Sequence, residues 1–209
     1  MAPWHLPLLV ERLAEVLERR EAALRLEQAA HGLDRDGEVA LQALLADGLA
    51  AHHGTARERS YPSWTGKRSH RPRCDLVLTP RGARLAEEAP TLLDALGPPP
   101  CPPEEALWLE LKVAHQLGEG GRHRARYAQQ WRRSLFADVR KLRADPRVRH
   151  AALALIAFND AQETFDRDVE TFERLLFDEG LVTGYRSARS FAIDDRIGHT
   201  RCSVAAWPL

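Results

Sequence analysis

The stretch Leu107-Trp108-Leu109-Glu110-Leu111-Lys112-Val113 alternates strictly. In a strand, Leu107, Leu109, Leu111 and Val113 share one face, and Trp108, Glu110 and Lys112 share the other. A carboxylate and an ammonium therefore project side by side from an otherwise apolar strand. Upstream, Cys74-Asp75-Leu76-Val77-Leu78 is a second apolar strand with a single acid. Downstream, Ala151 to Phe158 is an unbroken apolar run, the mark of a strand buried on both faces.

The remaining elements arrange themselves around these three strands. Leu6, Leu9, Val10, Leu13, Val16 and Leu17 keep helical spacing, which predicts an amphipathic helix over 4–20. A second helix is expected from Asp34 or Asp36, both suitable caps, to about Ala51. Residues 54–73 are polar and turn-rich, with a short strand expected at Tyr61–Trp64. Residues 84–96 read as helix. Gly97-Pro98-Pro99-Pro100-Cys101-Pro102-Pro103 is a stiff extended connector, excluded from helix and central strand. A long helix is expected over 122–143, ending before Pro146, and another over 162–179, stopped by Gly180. A hairpin closes the chain, with strands at 190–194 and 200–207. The order predicts an α/β fold: a central mixed β-sheet flanked by helices. Its core spans 36–158 of a single domain over 1–209, with an N-terminal helix and a C-terminal helix and hairpin over 162–207.

Composition narrows the function classes. The chain has 209 residues, 44% hydrophobic and 29% charged, as in globular proteins. No apolar run approaches the roughly 20 residues that span a bilayer, so no membrane partner is expected. The N-terminus lacks the basic and apolar regions of a signal peptide, and a cytoplasmic location is expected. The three cysteines, Cys74, Cys101 and Cys202, form no CxxC pair, which argues against a zinc ribbon or disulfide framework. Cys74 reads as a small core hydrophobe. Net charge is zero, but residues 122–149 hold ten Lys and Arg against two acids. That polarity fits one anion-binding face.

Asp75, Glu110 and Lys112 suggest a chemistry. Mg²⁺ takes one or two carboxylates together with waters and phosphate oxygens, and it suits phosphodiester hydrolysis. Asp75 and Glu110 supply carboxylates from adjacent strands, and the Leu111 carbonyl offers a further ligand. Lys112 stands where an ammonium would orient water or stabilise developing charge. Glu38 falls on the apolar stripe of its helix, with Leu41, Leu45 and Leu49. A carboxylate there is costly unless paired or metal-bound. Near a helix start it also complements the dipole. His115 and His123 flank the loop Gly118–Gly121 without metal-pair spacing, and that loop has no Walker pattern. Asp138 and Lys141 read as an exposed i,i+3 pair.

An acid-bearing helix, then Asp75, then Glu110-Leu111-Lys112, then a helix and a buried strand resembles the PD-(D/E)XK, or restriction-endonuclease-like, nuclease superfamily. The resemblance covers about 36–158; Arg73-Cys74 stands where that family often has Pro before its Asp. It implies a Mg²⁺- or Mn²⁺-dependent endonuclease, a hydrolase acting on DNA rather than RNA. By the same resemblance, Asp75, Glu110 and Glu38 hold the metal and Lys112 assists the water. The alternative is a non-catalytic subunit of the same fold that binds nucleic acid or a partner protein; a homodimer is open too. For nucleic-acid contacts, Arg126, Arg133 and Arg140 recur every seven residues, with Arg122 nearby, on a helix face without i+4 acids. Lys67 and Arg68 sit in a basic loop cluster before Asp75.

Overall fold

The computed structural model describes residues 4–64, 71–86, 97–125 and 127–209. Six strands make one mixed sheet. They are β1 (Gly54–Ser60), β2 (Arg73–Thr79), β5 (Leu107–His115), β6 (His150–Asn159), β7 (Ser187–Ala192) and β8 (Arg201–Pro208). Their order across the sheet is β1-β2-β5-β6-β8-β7. β5 and β6 run parallel; every other neighbouring pair is antiparallel. Two short segments, β3 (Arg84–Leu85) and β4 (Pro100–Cys101), form a separate parallel ribbon.

The expected alternation decides the layering. Leu107, Leu109 and Leu111 of β5 join Ala152, Ala154, Ile156 and Phe158 of β6 on one face. That face is covered by α1 (Leu6–Leu26) and α2 (Glu38–Leu49), through Leu13, Leu17, Leu41, Leu45 and Leu49. The opposite face, with Leu153, Leu155, Ala205 and Trp207, receives α3 (Tyr127–Ala144) and α4 (Gln162–Asp178) through Trp131, Leu135, Phe165 and Phe172. The β5–β6 connection through α3 is the crossover that a parallel pair requires. Both helical layers bury large aliphatic and aromatic side chains, the main driving force for the fold.

Several expectations shift. α1 runs on to Leu26 rather than ending at 20, because Glu21 and Leu24 continue its buried stripe. Arg84–Leu85 form strand, not helix, pairing with Pro100–Cys101 of the proline connector; 87–96, the rest of that expected helix, lie outside the described residues. The strand placed at Tyr61–Trp64 lies earlier, at Gly54–Ser60. Its charged sequence hides it, because an edge strand with half-exposed faces shows no apolar alternation. α3 begins at Tyr127 rather than Arg122. The residues before it are held in a loop by the isolated bridge Leu117–His123. At the end of this loop, a buried Asp34 carboxylate bonds Nδ1 of His199 at 2.8 Å, and Nε2 of the same ring accepts the Leu117 N–H at 3.0 Å. Nε2 as acceptor makes His199 the Nδ1–H tautomer.

Candidate metal and phosphodiester site

The site opens where β2 and β5 part. Their ladder pairs Leu78 with Leu107, Val77 with Trp108 and Leu76 with Leu109, and goes no further. β1 is distorted opposite this point: Glu58 has φ of 52° between the paired residues Arg57 and Arg59. β5 runs on without β2, and side chains take over its exposed edge. The Asp75 Oδ2 atom accepts the Leu111 N–H at 2.8 Å. Glu38, the first residue of α2, accepts the Val113 N–H at 3.4 Å through Oε2 and the Lys112 ammonium at 3.2 Å through Oε1. A strand residue sends its N–H and C=O to the same edge. The Leu111 carbonyl therefore leaves toward Asp75.

Glu110 lies on the other side of β5, almost fully buried. Its Oε1 accepts the Tyr61 hydroxyl at 2.5 Å and the Lys141 ammonium at 2.8 Å. Tyr61 stacks on Trp108, with ring centroids 5.6 Å apart. Lys141 also bonds Asp138 at 3.0 Å. Burial, with the Asp75 charge nearby, pushes the Glu110 carboxyl up to about 8. Burial opposes charge on Lys112, but Glu38, Asp138 and Asp75 outweigh it and hold the ammonium above its ordinary range. The Lys141 ammonium is likewise raised against its burial, by Glu110 and Asp138.

The structure thus sets Glu38, Asp75 and Lys112 along the freed edge of β5, with Glu110 turned to Tyr61 and Lys141 and in electrostatic reach of Asp75. It adds three residues that sequence reasoning missed: Tyr61, Asp138 and Lys141. The Asp138–Lys141 pair is not the exposed pair expected; Asp138 is buried and Lys141 turns inward to Glu110. Helical spacing carried the signal, since Tyr127, Trp131, Ser134, Asp138 and Lys141 recur at intervals of four, three, four and three along α3. That stripe faces β5, next to the apolar stripe of Leu135, Val139 and Leu142.

Beside Lys112, a cleft of about 130 Å³ separates β5 from α3, lined by Lys112, His115, Arg124, Tyr127, Trp131 and Ser134 among others. His115 stacks on Phe158 at 4.9 Å. Burial, then the charges of Arg124 and His199, lowers the His115 imidazole to about 4. The described members of the predicted Arg row do not line this cleft. Arg122 is exposed in the loop before α3, and Arg133 is exposed on α3 one residue off the cleft stripe. Arg140 has an acidic partner from another element, Glu179, at 2.6 Å. Arg126, Lys67 and Arg68 lie outside the described residues.

The donor types suit Mg²⁺, which takes hard oxygen ligands. Four carboxyl groups, those of Glu38, Asp75, Glu110 and Asp138, gather around the Lys112 and Lys141 ammonium groups. Asp138 Oδ2 is buried and has no hydrogen-bond partner. Both features fit a divalent cation. Among the described residues, however, no three His, Cys, Asp or Glu side chains are already gathered to hold a metal ion. The position such an ion would share with Glu110 is contested by Lys141. Also among the described residues, no helix is long and apolar enough to cross a membrane.

No family model, curated protein or solved structure matches the chain.

Proposed function

We propose that the chain hydrolyses phosphodiester bonds in DNA with Mg²⁺ or Mn²⁺ as cofactor. What supports this reading is that Asp75, Glu38 and Lys112 meet the edge of β5 where β2 parts from it, with Glu110 in electrostatic reach of Asp75. Asp75, Glu110, the Leu111 carbonyl and Glu38 are the residues that would hold the ion. When bound, the ion supplies charge neutralisation at the phosphate and a water of lowered pKa. Lys112 keeps its proton, anchored by Glu38, and presents a fixed positive charge beside the cleft mouth. Arg124 lines the same cleft and adds a second cation for the nucleic-acid backbone.

The test is cleavage of plasmid and single-stranded DNA with and without added Mg²⁺. Metal-dependent cleavage that disappears in a Glu110→Ala/Lys112→Ala variant supports the assignment. Equal cleavage by the wild type and this variant defeats it. One observation favours a second reading, a non-catalytic nuclease-fold subunit that binds nucleic acid or a partner protein. Glu110 and Glu38 each already carry a lysine partner, a self-neutralised arrangement that needs no ion. DNA binding without cleavage in any divalent metal would select it.

A further inference from the structure

Lys141 holds the carboxylate that a divalent cation would need. Its Nζ lies 2.8 Å from Glu110 Oε1 and 3.0 Å from Asp138 Oδ1, bridging two acids. It also stands 5.8 Å from the centroid of the Tyr61 ring, whose face favours a cation. We propose that Lys141 is an exchangeable counterion: its ammonium neutralises Glu110 until a divalent cation takes that carboxylate, and Asp138 retains the ammonium afterwards. The proposal rests on the metal-site reading above and makes Lys141 and Asp138 positioning residues of that site.

Three features support the exchange. The ammonium already touches its second partner, so leaving Glu110 does not strand a buried charge. Asp138 has spare acceptor capacity, since its buried Oδ2 is unpartnered. The motion is confined to the end of a flexible four-carbon stem, while α3 stays packed through Leu135, Val139 and Leu142. The Glu110 carboxylate, with Asp75 in electrostatic reach, gives the entering ion its attraction. Asp138 lies one turn before Lys141 on the same helix, so both stay in register with Glu110 throughout.

The experiment is Mn²⁺ binding to the full chain by titration calorimetry at mildly alkaline pH, with Mn²⁺ alone as the probe. Lys141→Met removes the competing charge and should tighten Mn²⁺ roughly tenfold or more. Lys141→Arg keeps the charge and should leave the wild-type affinity. Asp138→Asn should weaken Mn²⁺ several-fold in the wild-type background and by less than about twofold in the Lys141→Met background. That coupling is what exchange requires and what simple charge removal does not give. Lys141→Gln, which still bonds Glu110, carries the same expectation as Met and guards against a folding defect. Equal Mn²⁺ affinity of wild type and both neutral variants overturns the exchange, as does an Asp138→Asn effect of equal size in both backgrounds. If the wild type still cleaves DNA with Mg²⁺, the nuclease reading survives that failure. Absence of Mn²⁺ binding in every variant overturns the metal site and the exchange together.

Discussion

The Asp75 carboxylate takes the backbone N–H of Leu111 at 2.8 Å, so an acid of one strand completes the ladder of the next. Asp75 thereby has a structural duty separable from any chemistry. Asp75→Asn retains an oxygen for that N–H and should leave the melting temperature within a few degrees while abolishing metal-dependent cleavage. Asp75→Ala orphans the Leu111 N–H and should cost a further 1–3 kcal/mol or so of stability. Thermal melts of both variants, set beside DNA cleavage, separate the two duties.

Lys112 should matter to rate more than to fold. Its ammonium is partly exposed and pairs with Glu38. Lys112→Met is expected to lower cleavage on the order of a hundredfold or more, as for loss of a charge-stabilising group. DNA affinity measured without added divalent metal should change only slightly. A loss of affinity as large as the loss of rate would make Lys112 a binding residue instead.

Among the arginines, Arg124 and not Arg140 should carry the phosphate contact. Arg124 lines the cleft beside Lys112, whereas Arg140 is paired with Glu179. Arg124→Ala should weaken DNA binding uniformly across sequences and reduce the salt slope by about one. Arg140→Ala should leave both nearly unchanged. Fluorescence anisotropy over a salt series checks the pair.

His115 gives the fold a pH dependence of definite sign. Its imidazole is lowered to about 4 in the fold, by burial and then by Arg124 and His199, against an unfolded value of 6.5. The unfolded chain therefore takes up the proton first as pH falls. The contribution is fully present above pH 6.5 and is lost as pH falls toward 4. It amounts to about 1–3 kcal/mol, given roughly 1.4 kcal/mol per pKa unit and some residual solvent contact. His115→Gln should flatten urea-derived stability across that window. An unchanged slope would remove His115 from the acid response.

Phe172 is the aromatic hub of the α3–α4 layer. Its ring meets Trp131 at 5.4 Å, Phe136 at 5.6 Å and Trp207 at 5.3 Å. Phe172→Ala should cost about 3–5 kcal/mol, as for other large-to-small changes in a packed core. The lysine–carboxylate cluster sits at the far end of α3, so Mn²⁺ binding should survive wherever the variant still folds. Urea denaturation gives the first quantity and calorimetry the second.

The core was legible because its periodicities are strong. Leu107 to Val113 reads as a two-faced strand, Ala151 to Phe158 as a buried one, and Leu6 to Leu17 as an amphipathic helix. β1 was missed because Arg57, Glu58 and Arg59 lie on an exposed edge, where burial imposes no alternation. The β3–β4 ribbon was missed because two residues per strand carry no period. Of the candidate site, Glu38, Asp75, Glu110 and Lys112 were readable from strand alternation and helix phase. Lys141 was not, because an i,i+3 Asp–Lys pair looks the same whether it faces water or a buried glutamate. Tyr61 was invisible for another reason: its partner Glu110 is separated from it by 49 residues of sequence. The metal group itself is not preassembled among the described residues, where Glu110 and Glu38 each hold a lysine instead.

Cys74, Cys101 and Cys202 are all free, buried and spread over β2, β4 and β8. Burial pushes each thiol up, so little reactive thiolate forms even where a reagent reaches it. Alkylation then keeps time with opening of the structure rather than with surface chemistry. The three thiols sit in different parts of the molecule: beside the β2–β5 gap, in the small ribbon, and on β8 between β6 and β7. A labelling time course followed by peptide mass analysis would rank which of these loosens first. The chain thus carries three internal clocks for its own unfolding, with no engineered probe.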